Sequence, residues 1–359
     1  MKIIYFDDQK VSQLYPIILT RQASKISCGG YFLEELVAEI FSPKRIIREK
    51  SNHSFAWQWR VKEKTLLLNS RIIPKAKELF KIKRLIENGQ FEGKAPLLNY
   101  SWEVILKSNQ ILGENLCFRS AYYQRKRNNV YVGKNAIFHS QTIFDITDGP
   151  IILGDSVRIA PFVSLKGPLY LGPKTQVKEF TFLSHCSVGS VCKLRGEIEE
   201  CVIESYANKQ HYGFIGHSYL GSWVNLGAGT TISDLKNTYG EIKADFQGAS
   251  LASGMQFLGA VIGDYVKTAV NTVINSGKII GPNSFLYGLV GESVPAFTNY
   301  YQGRKVEFYL TEAYKVQARM FKRRNLEQTS QDKRILRQAY LATRAERMRS
   351  AVVAGDFRL

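Results

Sequence analysis

The stretch Tyr206 to Thr230, YANKQHYGFIGHSYLGSWVNLGAGT, decides the fold. Aliphatic residues are followed by glycine at Ile215-Gly216, Leu220-Gly221 and Leu226-Gly227. The same phase recurs on both sides of it. Units of six residues begin at Val132 (VGKNAI), Leu153 (LGDSVR), Ile159 (IAPFVS), Leu171 (LGPKTQ), Ile262 (IGDYVK) and Ile280 (IGPNSF). Gly154 and Gly172 are eighteen residues apart, and so are Gly263 and Gly281, which is three units. A six-residue period with an aliphatic residue at one phase and a small one beside it predicts a β-solenoid. Each short strand sends its aliphatic side chain inward to stack on the next coil, and the small residue lets the chain turn the corner. Clean units are missing over 193–213 and 233–256, so both segments are expected to loop out on one face.

The flanks differ from the repeat in charge. Residues 42–130 hold 19 basic and 7 acidic residues, residues 131–301 hold 12 and 13, and residues 302–359 hold 14 and 6. The basicity therefore lies outside the solenoid, where it suits anionic small molecules, a nucleic acid or merely solvent. Five cysteines (28, 117, 186, 192 and 201), with no CxxC pair, predict free thiols in a reducing cytoplasm rather than a disulfide or zinc framework. No apolar run approaches eighteen residues. The opening MKIIYFDDQK is too polar for a signal peptide.

Three segments are expected. Residues 1–127 read as a small α/β, Rossmann-like domain plus connector, 128–301 as the solenoid, and 302–359 as a basic helical tail. Lys2–Phe6 (KIIYF), YPIILTR and TLLLNSRIIP read as strands or strand edges, with a helix over 32–41. The stretch 91–127 reads as a connector. In the tail, Phe308, Tyr314, Val316, Met320 and Phe321 fall at helical spacing, and Thr329 and Asp332 are placed to cap a second helix.

The run HYGFIGHSYLGSWVNLGAGTTISDLKN, with FDD, PIILTR and LLLNSRIIP before it and QFLGAVIGDYVKTAVNTVINSGKIIG after it, resembles the bifunctional GlmU-like family. Members join a sugar-nucleotidyltransferase domain to a left-handed parallel β-helix acyltransferase. The resemblance covers roughly residues 1–300. It implies a homotrimeric transferase of UDP-N-acetylglucosamine synthesis that moves acetyl from acetyl-CoA to glucosamine 1-phosphate, with a UTP-dependent activity upstream. It places His211 on the general base, Asn225 against the sugar or acyl group, and Lys236, Tyr239 and Lys243 in the loop that receives the sugar phosphate. Ala228, Asn271 and Gly288 fall on the acetyl and CoA groove. In the first domain Arg21 would face phosphates, and Asp7 or Asp8 would bind magnesium. Imidazole suits the acyl-transfer role on chemical grounds, because an amine must lose a proton as it acylates and the ring titrates near neutral pH.

This chain departs from the family where Glu199 and Glu200 replace a lysine pair, and where Asp234-Leu235 replaces Asn-Tyr. Lys209 or Arg195 is then expected to supply the missing phosphate contact. His217 reads as structural, Asp264 as turn chemistry, and His53, His139 and His185 have no constellation around them. Two other function classes stay open. One is a nucleotidyltransferase whose solenoid only assembles subunits. The other is a non-catalytic binding protein, with nucleic acid disfavoured for want of a reader motif.

Overall fold

The computed structural model describes residues 1–49 and 55–357; His53 lies outside the described residues. The chain opens with β1 (Lys2–Phe6), whose Ile3 and Tyr5 face a core completed by α1 (Leu33–Phe41). Next come β2 (Arg45–Glu49), β3 (Trp59–Lys62), β4 (Thr65–Asn69), α2 (Ala76–Glu87) and β5 (Glu92–Gly93). The sheet order is β2-β1-β4-β3-β5. β1 runs parallel to β2 and β4, while β3 runs antiparallel to β4 and β5.

Two expectations in this region fail. Tyr15–Arg21 holds no strand; Gln9–Leu14 and Ile17–Leu19 are 3₁₀ turns. Leu14, Tyr15 and Ile17 are buried in a cluster with Val202, Tyr219, Val261 and Ile279 of the solenoid, so their burial follows from an interdomain contact and not from a sheet. Residues 91–127 are not a plain connector either. They contain α3 (Glu103–Arg119), a 17-residue helix. Ile105 and Ile111 join the same interdomain cluster, while Leu112 and Leu116 pack on Ile152 and Tyr170. A helix buried on several sides carries no single apolar stripe to read.

From Val130 onward the chain coils into three parallel sheets that form the faces of a prism. On one face Leu153, Leu171, Val188, Ile203, Leu220, Ile262 and Ile280 stack in register. On another, Leu165, Leu183, Ile198, Ile215, Ile232, Ile274 and Val290 do the same. All are at most 1% exposed. Each such burial contributes roughly 1.5–3 kcal/mol, shared between neighbouring coils, so the column stabilises itself only when stacked. At the corner a Cβ on Gly172 would come within 2.6 Å of the backbone of Gly189, which forbids any side chain there.

Residues 193–213 do not loop out. They continue the coils with strands at Lys193–Leu194, Glu197–Glu199, Val202–Ile203 and Asn208–Lys209. The motif is hidden because these coils are shorter and because Arg195 and Glu204 replace the glycine after Leu194 and Ile203, which keep their inward places. The second irregular segment does leave the prism. Between Ile232 and Ala260 it projects a hairpin, Ile242–Phe246 paired with Ala249–Met255, whose Ile242 and Ala244 pack with Trp102.

The tail forms α4 (Leu310–Lys322), α5 (Ser330–Ala342) and α6 (Arg344–Arg349). Thr329 and Asp332 make the reciprocal capping box expected of them. α4 lies on the solenoid, where Phe321 packs on Trp223 at 4.7 Å between ring centroids. None of the five cysteines is in a disulfide. No described helix is long and apolar enough to cross a membrane.

Candidate active site

His211 sits in the turn between two solenoid faces, directly after the strand Asn208–Lys209, with its side chain exposed. The backbone ladder brings the neighbouring coils to the same corner. Gly229 N donates to Tyr212 O at 3.0 Å, and Asn271 N donates to Ala228 O at 2.7 Å. Val273 N donates to Gly288 O at 3.1 Å one coil further on. Four residues that sequence reasoning assigned to one site, His211, Ala228, Asn271 and Gly288, thus occupy one edge of the prism. Tyr212 Oη donates to Asn271 Oδ1 at 3.4 Å and joins two of these coils through side chains. Gly229 is required there, since a Cβ would lie 2.0 Å from Asn271 Oδ1. Asn225 lies three residues before Ala228, on the adjacent face, and its Oδ1 accepts from Asn208 Nδ2 at 3.4 Å.

Lys209 is not a substrate contact. It is fully buried in the prism, stacked in register with Leu194 at an inward position. Its ammonium donates to the carbonyls of His211, Tyr212 (2.6 Å) and Arg195 (3.5 Å). Burial, with help from Arg195, lowers its pKa to about 8. The lysine therefore anchors the turn that carries His211 from beneath. The six-residue phase already held this signal, because Lys209 falls in a slot that elsewhere takes an aliphatic residue.

A cleft of about 600 Å³ opens at the far end of the strand that follows His211. Ser233, Lys236, Asn237, Lys243, Asn275 and Lys278 line it. Lys278 is neutralised by Asp245 at 2.6 Å, and Lys236 donates to the Glu241 carbonyl. Tyr239 does not line the cleft; its side chain is exposed, its N–H donates to Lys236 O at 2.9 Å and its carbonyl accepts from Gln256 Nε2 at 2.8 Å. His217 fixes the base of this loop. Its Nδ1 meets Asp234 Oδ2 at 2.7 Å, its Nε2 meets Glu200 Oε2 at 3.1 Å, and Phe257 stacks on its ring. Burial opposes its charged form, but hydrogen bonds to Asp234 and Glu200 win and raise its pKa to about 9. His217 is thus a cationic rivet in place of the Asn-Tyr chemistry of the resemblance.

The first domain departs further from expectation. Arg21 does not face phosphates. Its Nη1 meets Glu204 at 2.7 Å and its Nη2 meets Asp264 at 2.5 Å, with Ser222 Oγ at 2.9 Å. Thr20 Oγ1 also donates to Asp264 at 2.7 Å, so Asp264 is an interdomain anchor as well as a turn residue. Asp8 is held by Arg71 Nε at 2.8 Å and Nη2 at 2.6 Å; burial raises its pKa, yet the Arg71 hydrogen bonds and charge bring it below the usual value. Asp7 accepts from Ser70 Oγ and borders a cleft of about 880 Å³ shared with Lys25, Arg48 and Arg334 of α5. Among the described residues no three His, Cys, Asp or Glu side chains converge as a metal site. With Asp8 committed to Arg71, the residues do not by themselves form a magnesium site.

The family model for sugar nucleotidyl transferase matches residues 3–91. The chain is 29% identical over 172 residues to the bifunctional sugar-1-phosphate nucleotidylyltransferase/acetyltransferase of Sulfurisphaera tokodaii, covering 44% of this chain and 41% of that one. It is 27% identical over 210 residues to the bifunctional protein GlmU of Methanococcus vannielii, covering 57% and 47%. The matches thus span less than half the length of these relatives. A solved structure of a variant of AntD, an N-acyltransferase from Bacillus cereus in complex with dTDP-4-amino-4,6-dideoxyglucose and Coenzyme A, aligns with 58% of this chain and 95% of that one, at 16% identity and a TM-score of 0.27.

Proposed function

We propose that this protein is a transferase that moves an acetyl group from acetyl-CoA to the amine of an amino sugar phosphate, with His211 as general base. The observation that carries the reading is the single edge on which His211, Ala228, Asn271 and Gly288 meet. The substrate nitrogen attacks the thioester carbonyl and forms the N–C bond. His211 removes the proton that nitrogen sheds. Collapse of the tetrahedral intermediate breaks the C–S bond, and the imidazolium returns a proton to the leaving thiolate. Such proton transfer is worth roughly 10²–10⁴ in rate. Lys209 holds the turn in place, and Asn225 and Lys243 are the candidates to orient the acceptor.

The same edge supports a closed homo-oligomer, a trimer by resemblance. Phe162 and Phe180 stack on each other in the open, 51% and 68% exposed, and Ile143, Val270 and Leu289 continue the apolar strip. For the first domain, the family match and the cleft beside Asp7 favour nucleotide binding, as in a sugar-1-phosphate nucleotidyltransferase. Arg21 and Asp8 act there as internal anchors, so UTP turnover would have to proceed without them.

The test is free-thiol release from acetyl-CoA with a set of amino sugar phosphates. The wild-type protein should release thiol with at least one of them. His211→Ala should lose most of that rate with its melting temperature intact. No release with any acceptor, or an undiminished rate in the variant, rejects the reading and leaves the solenoid as an assembly scaffold.

A further inference from the structure

The half-buried cations of this molecule are paired with acids nearly everywhere. Arg21 has Glu204 and Asp264, Arg71 has Asp8, Arg119 has Glu35, Lys278 has Asp245, Lys305 has Glu292 and Arg347 has Glu307. Lys209 and Lys267 instead give their ammonium groups to backbone carbonyls and, for Lys267, to Met320 Sδ. One group of four cations lies close together without an acid among the described residues. It lies where the C-terminal tail crosses the solenoid face that ends at His211.

On that face Lys193, Asn208, Asn225 and Lys267 occupy equivalent outward positions on successive coils. Lys178 stands two residues along the coil beneath Lys193. Arg323 and Arg324, just past α4, come down on the same shelf. Arg324 Nη2 donates to Asn208 Oδ1 at 2.8 Å, and Asn208 passes the contact to Asn225. The position is fixed by the aromatic stack Tyr206–Trp223–Phe321, with centroid spacings of 4.3 and 4.7 Å. Lys178, Lys193, Arg323 and Arg324 take part in no ion pair among the described residues. Burial, then Arg324, Lys178 and Arg323, lowers the pKa of Lys193; burial, then Arg323, lowers that of Arg324. Four like charges are thus crowded in partly desolvated surroundings with no internal counter-charge. Folding gains nothing from that arrangement, whereas an incoming anion would relieve it.

We propose that this shelf is a phosphate-binding subsite, completed by the tail, in which Lys178, Lys193, Arg323 and Arg324 hold a phosphoryl group of a substrate whose reacting end lies at His211. The link to His211 rests on the acyltransferase reading; the anion site does not. The subsite also answers the loss of the lysine pair. Glu199 ends a strand on the adjacent face and Glu200 is paired with His217, and the phosphate contact moves around the corner to side chains that the tail brings in. Arginine forks suit a phosphate bidentately, and the ammonium groups add point charge. The phosphoryl group belongs either to the acceptor sugar or to CoA.

Titration calorimetry with inorganic pyrophosphate at low salt tests the site. The wild-type protein should bind, with affinity falling as salt rises, and His211→Ala should bind equally well. Lys193→Gln combined with Arg324→Gln should weaken binding by about tenfold or more. Should that pair fail to fold, Arg323→Gln, on an exposed head, reads the same effect. Without ligand, Lys193→Gln should leave the melting temperature unchanged or raise it, because it removes repulsion. No binding by the wild type, undiminished binding by the variants, or a lower melting temperature for Lys193→Gln overturns the subsite. Competition then names the source. Displacement of pyrophosphate by glucosamine 1-phosphate but not glucosamine assigns the acceptor, and displacement by CoA more strongly than by 3′-dephospho-CoA assigns the cofactor. Displacement by neither overturns the link to the His211 corner. Pyrophosphate binding in a protein that releases no thiol would keep the shelf and remove the catalytic role of His211.

Discussion

Two histidines six residues apart do opposite work. His211 is exposed in a turn and held only through its backbone, by Lys209 from below. His217 is clamped between Asp234 and Glu200 and stays charged to a pKa of about 9. A pKa raised by folding contributes stability that is complete below the unfolded value near 6.5 and fades as pH rises toward 9. Wild-type stability to urea should therefore decline over that window, and His217→Gln should flatten the decline; equal slopes in the two proteins would show that the clamp carries no such linkage. Lys209→Met would leave carbonyls of the His211 turn without their donor. It is expected to lower kcat more than it raises KM, because the proposed base is displaced while substrate contacts remain; a pure KM effect would return Lys209 to substrate binding. The sequence singled out His211 through its fixed distance to Asn225 and the GAGT coil. It hid Lys209, since a lysine beside a catalytic candidate reads as a contact until the inward phase of Leu194 is seen to continue through it.

At the scale of elements, aliphatic-glycine coils announce themselves and others do not. The outer coils were readable because Leu153-Gly154 and Ile262-Gly263 keep the full period, whereas 193–213 was lost where the coils shorten and Arg195 and Glu204 replace the glycine. α3 was lost for a different reason, its apolar residues being divided between the first domain's contacts and the solenoid. Arg21 looked like a phosphate ligand because local sequence cannot show that Glu204 and Asp264 lie across the domain joint. Arg21→Ala should cost about 3–5 kcal/mol, the usual penalty for leaving buried carboxylates without their partner. Chemical denaturation reads it directly, and a change below about 1 kcal/mol would show the joint to be solvated. The Thr329 capping box was visible from its two residues alone. Thr329→Ala should cost about 1 kcal/mol, spread over α5.

For the whole molecule, the solenoid is a stacked prism, and the proposed chemistry lies on one edge of it. The first domain is welded to one face by α3 and Arg21, and the tail is laid along another. That leaves the third face and the His211 edge with its exposed Phe162–Phe180 pair. Light scattering should find an oligomer, and Phe162→Lys with Phe180→Lys should dissociate it; a monomeric wild type would mean that the strip serves another partner. The most direct measurement is a crystal structure with CoA and an amino sugar phosphate bound. The account predicts the acceptor nitrogen about 3 Å from the His211 ring, with the pantetheine sulfur beside Ala228 and Asn271. Ligands seated only in the first-domain cleft, with His211 facing bulk solvent in every assembled copy, would contradict it.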